Sequence, residues 1–355
     1  MTFVKRKIKD IILQKGPLSI ADFMTVALTD SEHGYYRKKM PLGSKGDFVT
    51  SPDISQIFGE IIGIWILALF KKKEKFKEIQ IVDLGGGRGT LLSDIKRVLG
   101  AKVTNYIFLD INNKLIKIQK KNIKESLHFR RLEDIPEKPT IFIGNEFLDT
   151  FPVNQFIKNK DCWREVCIDH GDQELIFCHK KTKLSKLLDS QKLINIKINA
   201  IIEINFRSRS FIKKISSFIK RNNGGALFFD YGYTDGYGDT LQAIKGSEFV
   251  NPLNEPGLAD ITSHVDFRDI ITQAKDSMVD VWGPDTQGSF LIKMGAIERL
   301  KSLERMSDVK TKKELRLGLS RLIDEDKMGK LFKVFAITSN KFPSPEGFTC
   351  GTTST

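Results

Sequence analysis

The chain has 355 residues, 40% hydrophobic and 28% charged, a balance that argues against a disordered chain and leaves ample material for a buried core. The longest apolar run, IIGIWILALF at 61–70, is shorter than the roughly 18–20 residues of a bilayer span, and MTFVKRKIKDIILQKG mixes Lys and Arg among its apolar residues, so neither a membrane span nor a secretory leader is predicted. The formal charge of +13 invites a nucleic-acid reading, but the lysines are spread along the chain and the densest run, KKKEKFK at 71–77, reads as a solvated helix end.

Val4, Ile8, Ile11 and Ile12 recur at helical spacing before Gly16 and Pro17, and SIADFMTVAL opens with Ser19 and Asp22 as a capping box, so two helices are predicted. After a glycine-punctuated loop, Ser51 reads as the N-cap and Pro52 as the first residue of a helix. Its Ile54, Ile57, Phe58, Ile61, Ile62, Trp65 and Leu69 cover most of the helix surface, which predicts burial. IQIVDLG is a β-branched strand that runs through glycines into the helix TLLSDIKRVLG. NYIFLDI ends in Asp110 and precedes the helix NKLIKIQKKNIK, while LHFR, TIFIGNEF and ALFFDYGY are further strands. This alternation predicts an α/β fold with a mainly parallel, doubly wound sheet.

The segment NQFIKNKDCWREVCIDHGDQELIFCHK alternates as β-hairpins do and forms a β-rich insertion. SMVDVWGPDTQGSFLIKMG reads as an antiparallel hairpin closing one sheet edge, and the Lys-rich stretch after Ile297 reads as helical. The expected organisation is an N-terminal helical cap at 1–80, a core at 81–296 with the insertion at about 153–200, a helical extension at 297–341 and a disordered tail at 342–355. Cys162, Cys167, Cys178 and Cys350 contain no C-x-x-C pair, which fits a reducing compartment. The first three lie near His170 and His179, but the spacing matches no standard zinc pattern; no metal is predicted, and the cysteines read as small strand hydrophobes.

IVDLGGGRGT at 81–90 carries the first chemical signal. A nucleoside-triphosphate loop needs Lys and then Ser or Thr after its last glycine, and Gly89 is followed by Thr90 with no lysine. A dinucleotide fingerprint beginning at Gly85 and Gly87 needs its third glycine at position 90, which is Thr90. The pattern that fits is acid-x-G-x-G-x-G: Asp83, Gly85, Gly87 and Gly89, the first motif of class I S-adenosylmethionine (SAM) methyltransferases. Asp110 supplies a bidentate acceptor for vicinal ribose hydroxyls at the next strand end, a spacing that also suits NAD. Asp134, after the third strand, stands where an adenine amino group could be met or where an acid could cap a turn.

The second signal is NEFLDTFPVNQF at the end of the fourth strand, where Asn145, Glu146 and Asp149 could face a substrate in the crevice of an open sheet. Acids there point to a cationic acceptor, because carboxylates that bind a guanidinium help one nitrogen become nucleophilic. Asp230 ends another strand on the same edge, and His264 is a further catalytic candidate in ITSHVDFRDI, where Ser263 and Asp266 read as a capping box.

GPLSIADFM, DSEHGYYRKKMPLGSKGDFVTSPDISQIFGEIIGIW, VDLGGGRGTLLSDI, NEFLDTFPVNQF, LFFDYGY, GDTLQA, PLNEPGLADITSHVDF and GPDTQGSFLIKMG together resemble, in family order, the MidA-type methyltransferases. That resemblance covers about residues 5–335 and implies a Rossmann-like class I methyltransferase sheet with an N-terminal helical element over the cofactor S-adenosyl-L-methionine. For the mitochondrial members it implies symmetric dimethylation of arginine in a respiratory complex I subunit. It also assigns Gly46, Asp47, Phe48, Thr50, Ser51 and Pro52 to the cofactor cleft. Gly86 stands where a proline is usual, Asp53 and Asp110 where glutamate is common, and Leu148 and Thr150 where the family tends to an aromatic residue and alanine.

The leading expectation is a protein arginine N-methyltransferase acting on a complex I subunit, cytoplasmic in a bacterial host and in the mitochondrial matrix of a eukaryotic one. Methylation of RNA, resting on the +13 charge, and a non-catalytic SAM-binding assembly factor are the alternatives. The oligomeric state is left open, a homodimer included.

Overall fold

The computed structural model describes residues 1–38, 49–71, 79–160, 162–172, 174–185, 188, 196–349 and 351–352. Its contacts divide the chain into two units, one of Met1–Pro41, Thr150–Ser208 and Asp235–His264, the other of Leu42–Asp149, Arg209–Thr234 and Val265–Thr355. Among the described residues, no helix is long and apolar enough to cross a membrane.

The larger unit is built on the buried strand β1 (Gln80–Leu84), which pairs in parallel with β2 (Asn105–Leu109) on one side. β3 (Leu127–Phe129) lies beyond β2, and β4 (Thr140–Asn145) flanks β1 on the other side. The long β5 (Gly224–Tyr233) continues the sheet in parallel beside β4. β6 (Asp280–Thr286) and β7 (Phe332–Thr338) extend it in the order 3-2-1-4-5-7-6, with β7 antiparallel to both neighbours; the short strands Gly351–Thr352, beside β6, and Val265–Asp266, beside β5, add to it. The expected doubly wound sheet is therefore present, and the run of Val, Ile and Phe in its central strands follows from burial on both faces.

The helices of this unit include α1 (Ser51–Ile54), α2 (Gln56–Lys71), α3 (Thr90–Leu99), α4 (Asn113–Asn122) and α5 (Phe206–Asn222). They are followed by α6 (Phe267–Lys275), α7 (Gln287–Lys293), α8 (Ala296–Arg305) and α9 (Val309–Ile323). α2 is apolar on most sides because it packs into the core, and it approaches α3 closely at two glycines. A Cβ at Gly59 would lie 2.6 Å from Asp94 Cβ, and one at Gly63 would lie 2.8 Å from Val98 Cβ. Buried Glu60 accepts from Arg97 (3.0 Å) and from Arg299 Nε (2.8 Å), tying α2, α3 and α8 together.

Five local expectations differ from the structure. The helix read as starting at Ser51 is two helices: Thr50 occupies the N-cap position, and Ser55 is extended (φ −155°, ψ 131°) with its Oγ accepting the Ile57 amide at 3.3 Å. The edge hairpin read in SMVDVWGPDTQGSFLIKMG is instead β6 followed by α7. Thr286 caps α7 through the Ser289 amide, and a Cβ at Gly288 would meet the Ile323 carbonyl oxygen at 2.4 Å. The true antiparallel partner of β6 is β7, inside the stretch read as wholly helical; its Val334, Phe335, Ala336 and Ile337 are all buried in the sheet. Asp266 is itself the N-cap of α6, accepting from the Asp269 amide, and does not close a box with Ser263. Within the stretch read as a tail, Phe342 is buried and the Glu346 carbonyl accepts from Trp65 Nε1 at 3.2 Å.

The smaller unit holds the helices Phe3–Lys15 and Ile20–Thr29, the latter capped by Ser19 as expected. Val4, Ile8, Phe23, Met24 and Leu28 pack with Ile168 and Ile261 in its core. The expected hairpins are present as Asn154–Lys158, Trp163–His170 and Leu175–Lys181. Their register sets Cys167 opposite Cys178 and Val166 opposite His179, so alternation turns His179 away from the cysteine pair. Cys167 is buried, which pushes its thiol up to about 12. A further hairpin, Gln242–Lys245 with Glu248–Val250, turns through Gly246 and Ser247, both at positive φ.

Candidate active site

The glycine loop leaves β1 under tight backbone constraint. Gly85 (φ 64°), Gly87 (φ 52°) and Gly89 (φ 82°) occupy the left-handed region that side-chain-bearing residues rarely adopt. The Gly85 amide donates to the Leu109 carbonyl at 2.9 Å, and Gly89 is the N-cap of α3. Gly86 is excluded from bearing a side chain for a different reason: a Cβ there would lie 2.5 Å from Phe108 Cδ1 and 2.7 Å from Asp83 Oδ2. A proline at this position therefore has no room beside Phe108.

Asp83 and Asp110 stand under this loop. Asp83 is 2% exposed, and burial with the Asp110 charge nearby holds its carboxyl well above the usual range. Its Oδ2 has no hydrogen-bond partner among the described residues. Asp110 follows β2 and accepts from the Asn112 amide through Oδ1 and from Gln119 Nε2 through Oδ2, both at 2.8 Å. Gln119 Nε2 also donates to the Gly87 carbonyl at 2.9 Å, so one buried amide fixes the loop to the acid. Sequence reading missed Gln119, although a polar residue four positions after Leu115 on the apolar face of α4 was a signal. Thr90, which occupies the place of a third dinucleotide glycine, donates its hydroxyl to Asp53 Oδ1 at 2.8 Å and so fastens α1 to the start of α3.

The acidic group lies at the end of β4. Asn145 is its last residue, and Glu146 follows at φ 48°, a strained conformation for a residue with a side chain. The turn is held by two sets of contacts. The Glu146 amide donates to the Phe229 carbonyl at 2.9 Å, and Asp230 Oδ2 accepts the amides of Phe147 (3.0 Å), Leu148 (2.8 Å) and Asp149 (3.3 Å). Asp230 thus acts as a scaffold; burial together with Asp149 and Glu146 pushes its carboxyl up against the pull of those amides.

Glu146 Oε1 accepts from Asn145 Nδ2 at 3.1 Å and from the Ser51 amide at 3.2 Å. The residue keeps some exposure, but its carboxyl is enclosed, and burial first, then the Asp149 charge, raise it to about 8. Those two donors and the positive field of Arg321 oppose the rise. Asp149 is buried next to it. Such a site stabilises a cation that enters it and can take a proton from that cation.

A family model described as S-adenosyl-L-methionine-dependent methyltransferase matches residues 61–284. The zebrafish (Danio rerio) protein named protein arginine methyltransferase NDUFAF7, mitochondrial, is 32% identical over 361 residues, covering 92% of this chain and 84% of that protein. The chain belongs to this methyltransferase family. The human protein of the same name is 31% identical over 363 residues, covering 92% of this chain and 81% of its own length. A Burkholderia thailandensis protein crystallised with S-adenosyl-homocysteine shares the fold, with a TM-score of 0.88 at 22% identity over 98% of this chain and 95% of that one.

The methyltransferase uses S-adenosyl-L-methionine, and the residues present suit it. Asp110 spends three of about four carboxylate acceptor positions internally, on the Asn112 and Ile111 amides and on Gln119, which leaves one for a ribose hydroxyl, and Asp83 Oδ2 is a further open acceptor. The remaining sequence candidates of the methyltransferase are placed differently. Asp134 points both oxygens at Arg131 (3.0 and 2.6 Å), which lowers its pKa and occupies the carboxylate. Ser51 and Pro52 are buried at the start of α1, and Ser51 Oγ has no partner among the described residues. His264 belongs to the smaller unit, where its amide donates to Thr240 Oγ1 at 2.8 Å. Gly46, Asp47 and Phe48 lie outside the described residues.

Proposed function

We propose that the protein is a protein arginine N-methyltransferase whose acceptor is a subunit of respiratory complex I. The observation that carries this reading is the enclosed Glu146 carboxyl, held by the Ser51 amide and Asn145 beside buried Asp149. Bound S-adenosyl-L-methionine supplies an electrophilic methyl group. Asp83, Asp110 and the loop Gly85–Gly89 hold this cofactor, with Thr50, Ser51 and Pro52 contributing from the start of α1. Glu146 and Asp149 bind the acceptor guanidinium, orient one nitrogen and draw off its proton, because a neutral guanidine nitrogen has the lone pair that methyl transfer requires. Asn145 fixes the Glu146 carboxyl. The naming of the mitochondrial relatives supports arginine as the acceptor. A eukaryotic host places the protein in the mitochondrial matrix and a bacterial one in the cytoplasm.

The test is to incubate the protein with radioactive-methyl S-adenosyl-L-methionine and a heat-treated lysate of its host, then fractionate and sequence the labelled material by mass spectrometry. Label on arginine of a complex I subunit is expected. Label on RNA, or on a protein side chain other than arginine, overturns the reading.

A further inference from the structure

The Lys-rich C-terminal helices have no part in the account so far, yet their outward face is both apolar and cationic. α8 and α9 lie against one another, with Glu304 of α8 paired to Arg316 of α9. The inner side of α9 is occupied by the fold: Leu319 and Leu322 are buried in the core, and a Cβ at Gly318 would lie 3.0 Å from the Ile54 carbonyl oxygen. Val309, Lys313 and Leu317 follow one another at i, i+4 and i+8 on the opposite side. Val309 is 85% exposed and Leu317 60%, and Met306, the C-cap of α8 at the turn between the helices, is 92% exposed.

Residues 301–317 hold six cations, Lys301, Arg305, Lys310, Lys312, Lys313 and Arg316, against three acids. Two of the acids are spent: Glu304 on Arg316, and Asp308 as the N-cap of α9, accepting the Thr311 amide at 2.7 Å. The side chains of Arg305, Lys310 and Lys313 are exposed and make no hydrogen bond or ion pair among the described residues. Apolar side chains set among unpaired cations match a bilayer with acidic headgroups, where the cations meet phosphate and the apolar groups leave water at the acyl boundary. RNA matches the face less closely, because bases are held by stacking and residues 297–331 contain no Phe, Tyr, Trp or His.

We propose that the turn between α8 and α9, with the outward face of α9, is a docking surface for a membrane leaflet rich in acidic lipid. Met306, Val309 and Leu317 enter the headgroup boundary, and Arg305, Lys310 and Lys313 are held at the lipid phosphates. Docking is reversible, because three apolar side chains bury far less area than a spanning helix, and salt weakens it, because the cations are in solvent. The surface is separate from the Glu146 turn and does not depend on which acceptor is methylated.

The test is sedimentation of the full chain with vesicles of phosphatidylcholine alone or with about 30% phosphatidylglycerol, with cofactor affinity measured by calorimetry to check folding. Wild type is expected to bind the acidic vesicles at least about tenfold more tightly than the neutral ones and to be released by about 0.5 M salt. K310Q/K313Q weakens that binding about twenty-fivefold, at about fivefold for each cation, and M306S/V309S weakens it about tenfold. K117Q/K213Q, which removes two lysines from α4 and α5, binds as wild type does. Wild type that stays in solution with acidic vesicles overturns the proposal, as does an equal loss in K117Q/K213Q, which would mean that net charge alone drives binding. Full binding in M306S/V309S overturns it too, and so does tighter binding to polyuridylate than to acidic vesicles that is lost in K310Q/K313Q, which would assign the face to nucleic acid.

Discussion

The Ser51 amide donates to Glu146 Oε1 at 3.2 Å, so the helical turn entering the methyltransferase core closes directly on the acid at the end of the fourth strand. The pair explains why the SPDI turn and the NEFLD turn belong to one site although 95 residues separate them. It also leaves Glu146 one backbone donor and one side-chain donor against burial and a second carboxylate.

That imbalance has a pH signature. Glu146 is raised from 4.5 to about 8, so the folded protein keeps it protonated at neutral pH. The associated stability is complete below about pH 4.5 and is lost as the pH rises toward 8. E146Q mimics the neutral form permanently. Its urea-denaturation midpoint, compared with wild type at pH 5, 7 and 9, should therefore gain on wild type as the pH rises. A constant offset across that range would contradict the raised pKa.

Cofactor affinity should depend on Asp110 and on the amide that braces it. D110A removes the expected ribose acceptor and should weaken S-adenosyl-L-methionine binding about a hundredfold in calorimetry. Q119A removes the brace between Asp110 and the Gly87 carbonyl, and should cost about fivefold, near the net worth of one hydrogen bond. Wild-type affinity in D110A would remove that residue from the cofactor site.

Asp230 is expected to matter for stability before chemistry. D230A leaves the amides of Phe147, Leu148 and Asp149 without their acceptor and should destabilise the protein by about 3 kcal/mol in chemical denaturation. D230N keeps one oxygen acceptor and should lose about 1 kcal/mol. An equal loss in both would mean that the charge, and not the acceptor geometry, holds the turn.

Gly86 and Phe108 should be coupled. G86A forces a Cβ against the Phe108 ring and should cost about 2 kcal/mol, whereas the same change made together with F108L should cost less than the sum of the two single changes. Additive losses would show that the ring does not set the requirement for glycine.

Much of this architecture was legible because local signals agreed. Asp83, Gly85, Gly87, Gly89 and Asp110 fall where strand, turn and next strand end predict them, and NEFLD falls at a strand end with Glu146 in the left-handed region. What escaped reading depends on partners distant in sequence. FLIKM after a turn fits a short strand as well as a helix until Gly288 meets Ile323, and β7 is a strand because it pairs with β5, about a hundred residues earlier. Gln119 carries no motif. Its importance appears only when its side chain reaches the Gly87 carbonyl and the Asp110 carboxylate.

The central claim, that the Glu146 carboxyl receives the acceptor and takes no part in holding the methyl donor, is tested most directly by single-turnover transfer in E146Q at saturating S-adenosyl-L-methionine. Cofactor affinity is measured by calorimetry on the same sample. The account predicts cofactor affinity within about threefold of wild type and methyl transfer reduced by about a hundredfold to a thousandfold. Wild-type transfer in E146Q, or loss of cofactor binding in step with loss of transfer, would contradict it.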